Sequence, residues 1–189
     1  MANKVLFGLK NVHYALLDED AVTWETPVAV DGAVNLSVNP DGGLQKFYAD
    51  NIAYFTTSDN NGYSGDLEMA DVPAAVMAAL LNWEVDDDGA LVEIADAQPA
   101  PFALLCEFSG DESARKVVFY KCVAARPAES QATKSESTTV ATRTLSLSIM
   151  PIEIDSRLVV KKTIELSETN ATAYNAWYTA VSEPNFAVS

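Results

Sequence analysis

Apolar and polar residues alternate along most of the chain in short runs bounded by Gly, Pro, Asn and Asp, the pattern of strands separated by turns. Residues 4–17 are a long apolar-rich stretch that ends in Asp18-Glu19-Asp20. Residues 26–38 carry Val28, Val30, Val34, Leu36 and Val38 around Asp31-Gly32, which predicts two strands or one bent strand. Asn39-Pro40-Asp41-Gly42-Gly43 reads as a turn. Runs at 46–48 and 52–57 follow, then a loop at 58–62 and a run at 63–69. Further strands are predicted at 91–94, 101–109, 114–125, 138–150 and 157–164. Between 138 and 150, Val140, Leu145, Leu147 and Ile149 are set largely against Thr and Ser in period two, as in a half-solvated antiparallel strand.

Two segments break the pattern. Residues 71–82 are rich in Ala and Leu, with Asp71 placed to cap and Pro73 in the first turn, and predict a helix. In residues 172–181, Tyr174, Trp177, Tyr178 and Val181 recur at i, i+3, i+4 and i+7, so a second helix is expected to dock an aromatic face on the sheet before Pro184 ends it. Residues 126–139 carry no large apolar side chain and predict a long exposed loop; 39–66 is also loop-rich. The chain thus reads as one mainly β (α+β) domain over 1–189, an antiparallel sandwich or barrel flanked by one or two helices.

The runs at 101–109 and 114–125 form a hairpin about Gly110-Asp111-Glu112-Ser113. Centring the turn there pairs positions whose numbers sum to about 223, so Cys106 faces Val117 and lies about five positions from the partner of Cys122. At about 3.3 Å per residue that offset exceeds disulfide reach. Both cysteines read as small buried hydrophobes.

Composition narrows the class. With 189 residues the chain is long enough for a core without a metal or disulfide staple. A net charge of −15 disfavours non-specific grip on nucleic acid or an anionic membrane. The charge is uneven: residues 1–113 hold three bases (Lys4, Lys10, Lys46) against 20 acids, net −17, while 114–189 hold nine against seven, net +2. The apolar run near the N-terminus is closed by Lys10 and is too short for a secretory core, and the run at 72–81 is too short to span a membrane. A chain made and kept in a cytoplasm, with no membrane partner, is expected.

Catalytic signatures are thin. The one histidine, His13, sits in a strand-like run and reads as structural. Neither cysteine has an electropositive setting, no Gly-x-Ser-x-Gly elbow occurs, and Gly62 and Gly65 lack the rest of a phosphate loop. Asp86-Asp87-Asp88-Gly89 and the segment 59–66 miss the spacing of a calcium loop, and two cysteines with one histidine do not make a zinc set. No enzyme, cofactor or metal is expected.

Several stretches taken together resemble the major tail protein family, the tail tube proteins of long-tailed non-contractile bacteriophages (siphophages) and prophages. They are Phe7-Gly8-Leu9-Lys10-Asn11-Val12-His13-Tyr14-Ala15, Gly32-Ala33-Val34-Asn35-Leu36, Phe47-Tyr48-Ala49-Asp50-Asn51, Asn61-Gly62-Tyr63-Ser64-Gly65-Asp66-Leu67-Glu68, Pro101-Phe102-Ala103-Leu104-Leu105, Ala125-Arg126-Pro127 and Tyr174-Asn175-Ala176-Trp177-Tyr178. The resemblance implies a β-sandwich flanked by a helix and a structural virion protein. It implies hexameric rings of this chain stacked head to tail into a tube that conducts DNA during ejection. It also implies assembly in the host cytoplasm with a tape measure protein, a tail tip or initiator complex and a tail terminator.

Under that resemblance, stacking needs two unlike surfaces that fit each other. Phe47, Tyr48, Tyr54, Phe55, Asn61, Gly62 and Tyr63 are the candidate contacts between rings or subunits. A channel that DNA must traverse without sticking should be acidic, and the lumen candidates are Asp18, Glu19, Asp20, Asp66, Glu68, Asp86, Asp87 and Asp88. Two other readings compete: a receptor-binding or adhesin-type β module, and a tube subunit of a phage-derived particle that carries no DNA.

Overall fold

The computed structural model describes residues 3–49, 51–129 and 141–186. Strand β1 (Leu6–Asp18) leads through β2 (Thr23–Trp24) and β3 (Val28–Ala29), both paired back on it, into β4 (Ala33–Asp41). The hairpin β5 (Leu44–Ala49) and β6 (Ile52–Ser58) returns the chain to β7 (Gly62–Met69), the partner of β4. Helix α1 (Ala74–Leu81) and the small pair β8 (Glu84–Val85) and β9 (Leu91–Val92) precede the central hairpin of β10 (Phe102–Gly110) and β11 (Arg115–Ala124). After β12 (Arg143–Ile149) come the hairpin β13 (Ile152–Ile154) and β14 (Arg157–Val159), then β15 (Lys161–Glu165) and α2 (Ala171–Asn175).

The fold is mainly β and antiparallel. Its nine-stranded sheet follows the order β2-β1-β10-β11-β12-β7-β4, with β15 beside the first half of β11 and β3 beside β1. The central hairpin is buried on both faces. Phe102, Leu104, Cys106, Val117 and Phe119 point into one core, shared with α1 and with the inner faces of β7 and β12. Ala103, Leu105, Val118 and Tyr120 point into a second core, shared with Ile152, Ile154 and Trp177. Burial on both sides explains why β10 is a continuous apolar run rather than an alternating one.

The register of the hairpin agrees with the sequence expectation: Leu104 faces Phe119, Leu105 faces Val118 and Cys106 faces Val117. Both cysteines are free and buried. Burial pushes the Cys106 thiol up to about 12 and moves Cys122 in the same direction. A thiol-specific chromogenic reagent at neutral pH should therefore find no reactive cysteine in the native chain and two after denaturation.

Several expectations are corrected. The strand β4 runs through Asn39, Pro40 and Asp41, and the bend falls on Gly42 (φ +119). Pro40 is tolerated because β4 ends the sheet, where a missing N–H need not cost a ladder bond. Residues 39–66 are accordingly strand for most of their length rather than loop. Helix α1 begins after Pro73 without a side-chain cap; the Asp71 carboxylate instead accepts from the Val72 N–H at 2.9 Å. Residues 157–164 divide at Val160, where the chain leaves β13 and its carbonyl accepts from Tyr120 N–H on β11. The loop expected at 126–139 lies mostly outside the described residues, as does Val140.

The expected helix over 172–181 is only α2, and the chain then turns to seat Trp177 in the second core, where its indole is fully buried. Docking on the sheet holds. Tyr174 donates its hydroxyl to the Ala114 carbonyl at 2.9 Å, and Tyr120 donates to Ser182 at 2.8 Å. Lys162 reaches both Ser182 and Glu183, and the His13 ring stacks on Tyr178 with centroids 4.4 Å apart.

Under this strap lies a buried ion cluster. Glu107 faces Lys116 across the hairpin, and both are buried. Asn11 donates to the Glu107 carboxylate at 2.9 Å and Lys10 lies 3.1 Å from it. Neighbouring strand residues point to opposite faces, so two adjacent side chains meet one carboxylate only because Asn11 (φ +53) makes a bulge in β1. Burial raises the Glu107 carboxyl, but the Asn11 hydrogen bond, the Lys10 ion pair and the Lys116 charge outweigh it and hold the group below the usual carboxylate range. The Lys116 ammonium donates to the Tyr174 carbonyl at 2.9 Å and sits 4.0 Å over the Tyr174 ring.

Candidate assembly surfaces

Beyond Asp41 and Gly62, the β4 and β7 pair continues as the ribbon of β5 and β6. Phe47 and Phe55 are direct cross-strand partners on it. Phe47, Tyr48, Tyr54 and Phe55 are between 59% and 74% exposed, and Leu44 and Ile52 are exposed as well. At about 150–250 Å² per buried aromatic, the four rings alone present roughly 400–600 Å² to water. A standard protein interface takes about 800 Å² from each partner. An isolated two-stranded ribbon is marginal in water, and this one carries apolar side chains that stay largely exposed among the described residues.

Below the ribbon the same strands change character. On the outward face of β4, β7 and β12 the register aligns Asn35, Glu68 and Thr144 in one row, Ser37, Asp66 and Ser146 in the next, and Asn39, Ser64 and Ser148 in a third. The inward positions Leu67, Leu145, Leu147 and Ile149 between them are buried. Ser146 donates to Asp66 at 2.7 Å, Thr142 to Glu68 at 2.6 Å and Ser64 to Asp41 at 3.1 Å. Hydroxyls thus hold the carboxylates down on the sheet. No lysine, arginine or large apolar residue occupies any of these three rows, so the face combines negative charge with a lack of sticky groups.

The other acidic candidates lie elsewhere. Asp18 accepts from the Asp20 and Ala21 N–H groups in the turn after β1, and Glu19 pairs with Lys121. Asp86 closes the turn between β8 and β9 by accepting from Asp88 and Ala90. Of the eight acids, Asp66 and Glu68 share the hydroxyl-rich face. Asn61 is exposed. Gly62 is buried at φ +101, and a Cβ there would lie 1.9 Å from the Ile149 carbonyl oxygen, so the backbone needs glycine. Tyr63 is half-buried, edge-on to Phe119 at 6.1 Å with the Lys161 ammonium 4.6 Å over its ring.

Sequence reasoning missed Asp41, which closes the polar face, and the Glu107 and Lys116 pair. The signal for the pair was present, because 107 and 116 satisfy the same sum of 223 that set the hairpin register. Among the described residues no three His, Cys, Asp or Glu side chains gather to hold a metal ion, and no helix is long and apolar enough to cross a membrane.

No protein-family model matches the chain, and no curated protein matches it. A similar solved structure is a chain of the anti-feeding prophage baseplate, obtained by cryo-electron microscopy with six-fold symmetrisation. It is 11% identical at a TM-score of 0.49, over 87% of this chain and 97% of that one.

Proposed function

We propose that the chain is a structural subunit of a phage-type tail tube, in which copies form hexameric rings that stack head to tail around a channel for DNA. The observation that carries this reading is the exposed aromatic ribbon of β5 and β6, whose four rings stay largely exposed among the described residues. The motif resemblance supplies the kind of assembly. The face of β4, β7 and β12 supplies a wall suited to the channel, since acids held flat by hydroxyls offer a phosphate backbone no counterion release.

Negative-stain microscopy of concentrated protein tests the assembly. Hollow tubes or six-fold rings are expected, and Phe47→Ser with Phe55→Ser should abolish them while leaving the circular dichroism unchanged. Wild-type protein that stays monomeric, indistinguishable in sedimentation from the ribbon variant, would overturn the reading.

The wall is tested by binding to duplex DNA at low salt. The native protein should retain none. The triple variant Asp41→Lys, Asp66→Lys and Glu68→Lys should bind, with log K falling against log salt at a slope no steeper than about −3, near −0.9 for each lysine that meets a phosphate. Tight, salt-sensitive binding by the native chain would exclude this face as a passive wall.

A further inference from the structure

A second apolar surface lies on the same molecule. A groove of about 550 Å³ opens between the start of β1, the first half of β4 and the paired strands β11 and β15. Phe7 and Val34 form its lip and are 58% and 49% exposed; Leu36, Phe108, Val117 and Phe119 line its floor. Lys161 and Arg115 stand at the rim, Arg115 already tied to Glu165 at 2.6 Å. The floor is the open part of the first core, so it is preformed by packing and needs no rearrangement to receive a side chain.

The geometry points to this groove as the receptor for the ribbon of a second copy of the chain, with the Phe47 and Phe55 pair as its anchor. The inference rests on the self-assembly reading above. Three observations favour that occupant. First, the ribbon's own rings are exposed, so no copy fills its groove with its own ribbon. Second, the two surfaces match in chemistry: an apolar cleft with a cationic rim faces a protrusion of aromatic rings, and Lys161 already lies over one such ring, Tyr63. Third, Phe47 and Phe55 are exposed cross-strand partners on one face of the ribbon, so the two rings can enter a single cleft together. Ribbon and groove are unlike surfaces on one chain, so the contact is heterologous and repeats from copy to copy without self-closure.

Cysteine cross-linking tests the pairing, and the two native cysteines do not interfere because both are buried. Thr57→Cys, two positions from Phe55 on the same face of the ribbon and exposed, and Val34→Cys are made in separate chains, mixed at the concentration used for microscopy and oxidised, so that both anchor rings are kept. A disulfide-linked dimer is expected only in the mixture, and a chain carrying both substitutions should give a ladder of oligomers. Thr57→Cys mixed with Val85→Cys, which places the second thiol on β8 outside the groove, should give none. Adding Phe47→Ser should weaken association about 30-fold and remove the ladder at a correspondingly lower concentration. Tubes or rings without the cross-link would overturn the groove assignment and leave the assembly reading standing. A ladder without tubes or rings would uphold the groove and overturn the tube. Neither product would overturn both.

Discussion

Trp177→Ala should lower the stability of the chain by about 3–5 kcal/mol, the cost of deleting a large, fully buried aromatic side chain. For a domain of this size that is about 6–20 °C in melting temperature. The indole holds the strap of residues 171–186 on the second core, among Leu105, Val118 and Tyr120. Its loss leaves a cavity that the surrounding strands cannot close, because they are fixed by their ladder bonds. Among the described residues the buried Nε1–H of Trp177 has no hydrogen-bond partner. Trp177→Phe removes that unpartnered donor along with part of the ring, and should cost less than the alanine variant. Thermal denaturation of the two variants beside the native chain measures both effects; equal losses would mean that the ring volume Phe retains is not what holds the strap.

Glu107→Ala should cost about 1–3 kcal/mol, because Asn11 loses its acceptor, Lys10 loses its ion-pair partner and the buried Lys116 loses a nearby negative charge. The charges are not needed for stability as such. Glu107→Leu combined with Lys116→Met should recover most of the loss, since packed apolar side chains of similar volume often replace buried charged groups without penalty. The pH dependence has a definite sign. The folded carboxyl lies below its ordinary value, so its contribution is complete above the unfolded value near 4.3 and is lost as pH falls through the lower folded one. The gap in melting temperature between the native chain and Glu107→Gln should therefore be constant from about pH 6 to 8 and narrow below about pH 4. A gap that does not change with acid would show that the carboxylate charge is not what the cluster uses.

Local pattern was enough where one face of a strand is buried and the other is wet. In β12 the buried Leu145, Leu147 and Ile149 alternate with exposed Thr144, Ser146 and Ser148, and that alternation is written in the residues. The hairpin register followed from its turn, because a short connection leaves the ladder little freedom to slip. Pattern failed where a distant element decided. Asp71 and Pro73 look like a helix start, yet the Asp71 carboxylate pairs with Arg143 of β12 and accepts its neighbour's N–H instead of capping. Tyr174, Trp177, Tyr178 and Val181 have helical spacing, but seating one indole in the second core was worth more than the last turns of a short helix.

The surfaces divide in the same way. Phe47, Tyr48, Tyr54 and Phe55 could be singled out as apolar residues in a polar setting, but a run of aromatics reads alike whether it packs inward or projects outward. Asp66 and Glu68 could be named as acids, but not separated from Asp18 or Asp86, because assigning a face requires knowing which three strands lie side by side.

By itself the sequence determined the class of fold, most of the longer strands, the hairpin register, the reduced state of its two cysteines and the acidic excess before residue 114. Each of these depends on spacing along the chain, where period two, turn residues and charge act over a few positions. Only the tertiary structure decided that the central hairpin is covered on both faces and that β5 and β6 stand free. It alone aligned the carboxylates and hydroxyls of β4, β7 and β12 on one face of the sheet. Those facts depend on contacts between residues tens of positions apart, whose energies no local pattern records.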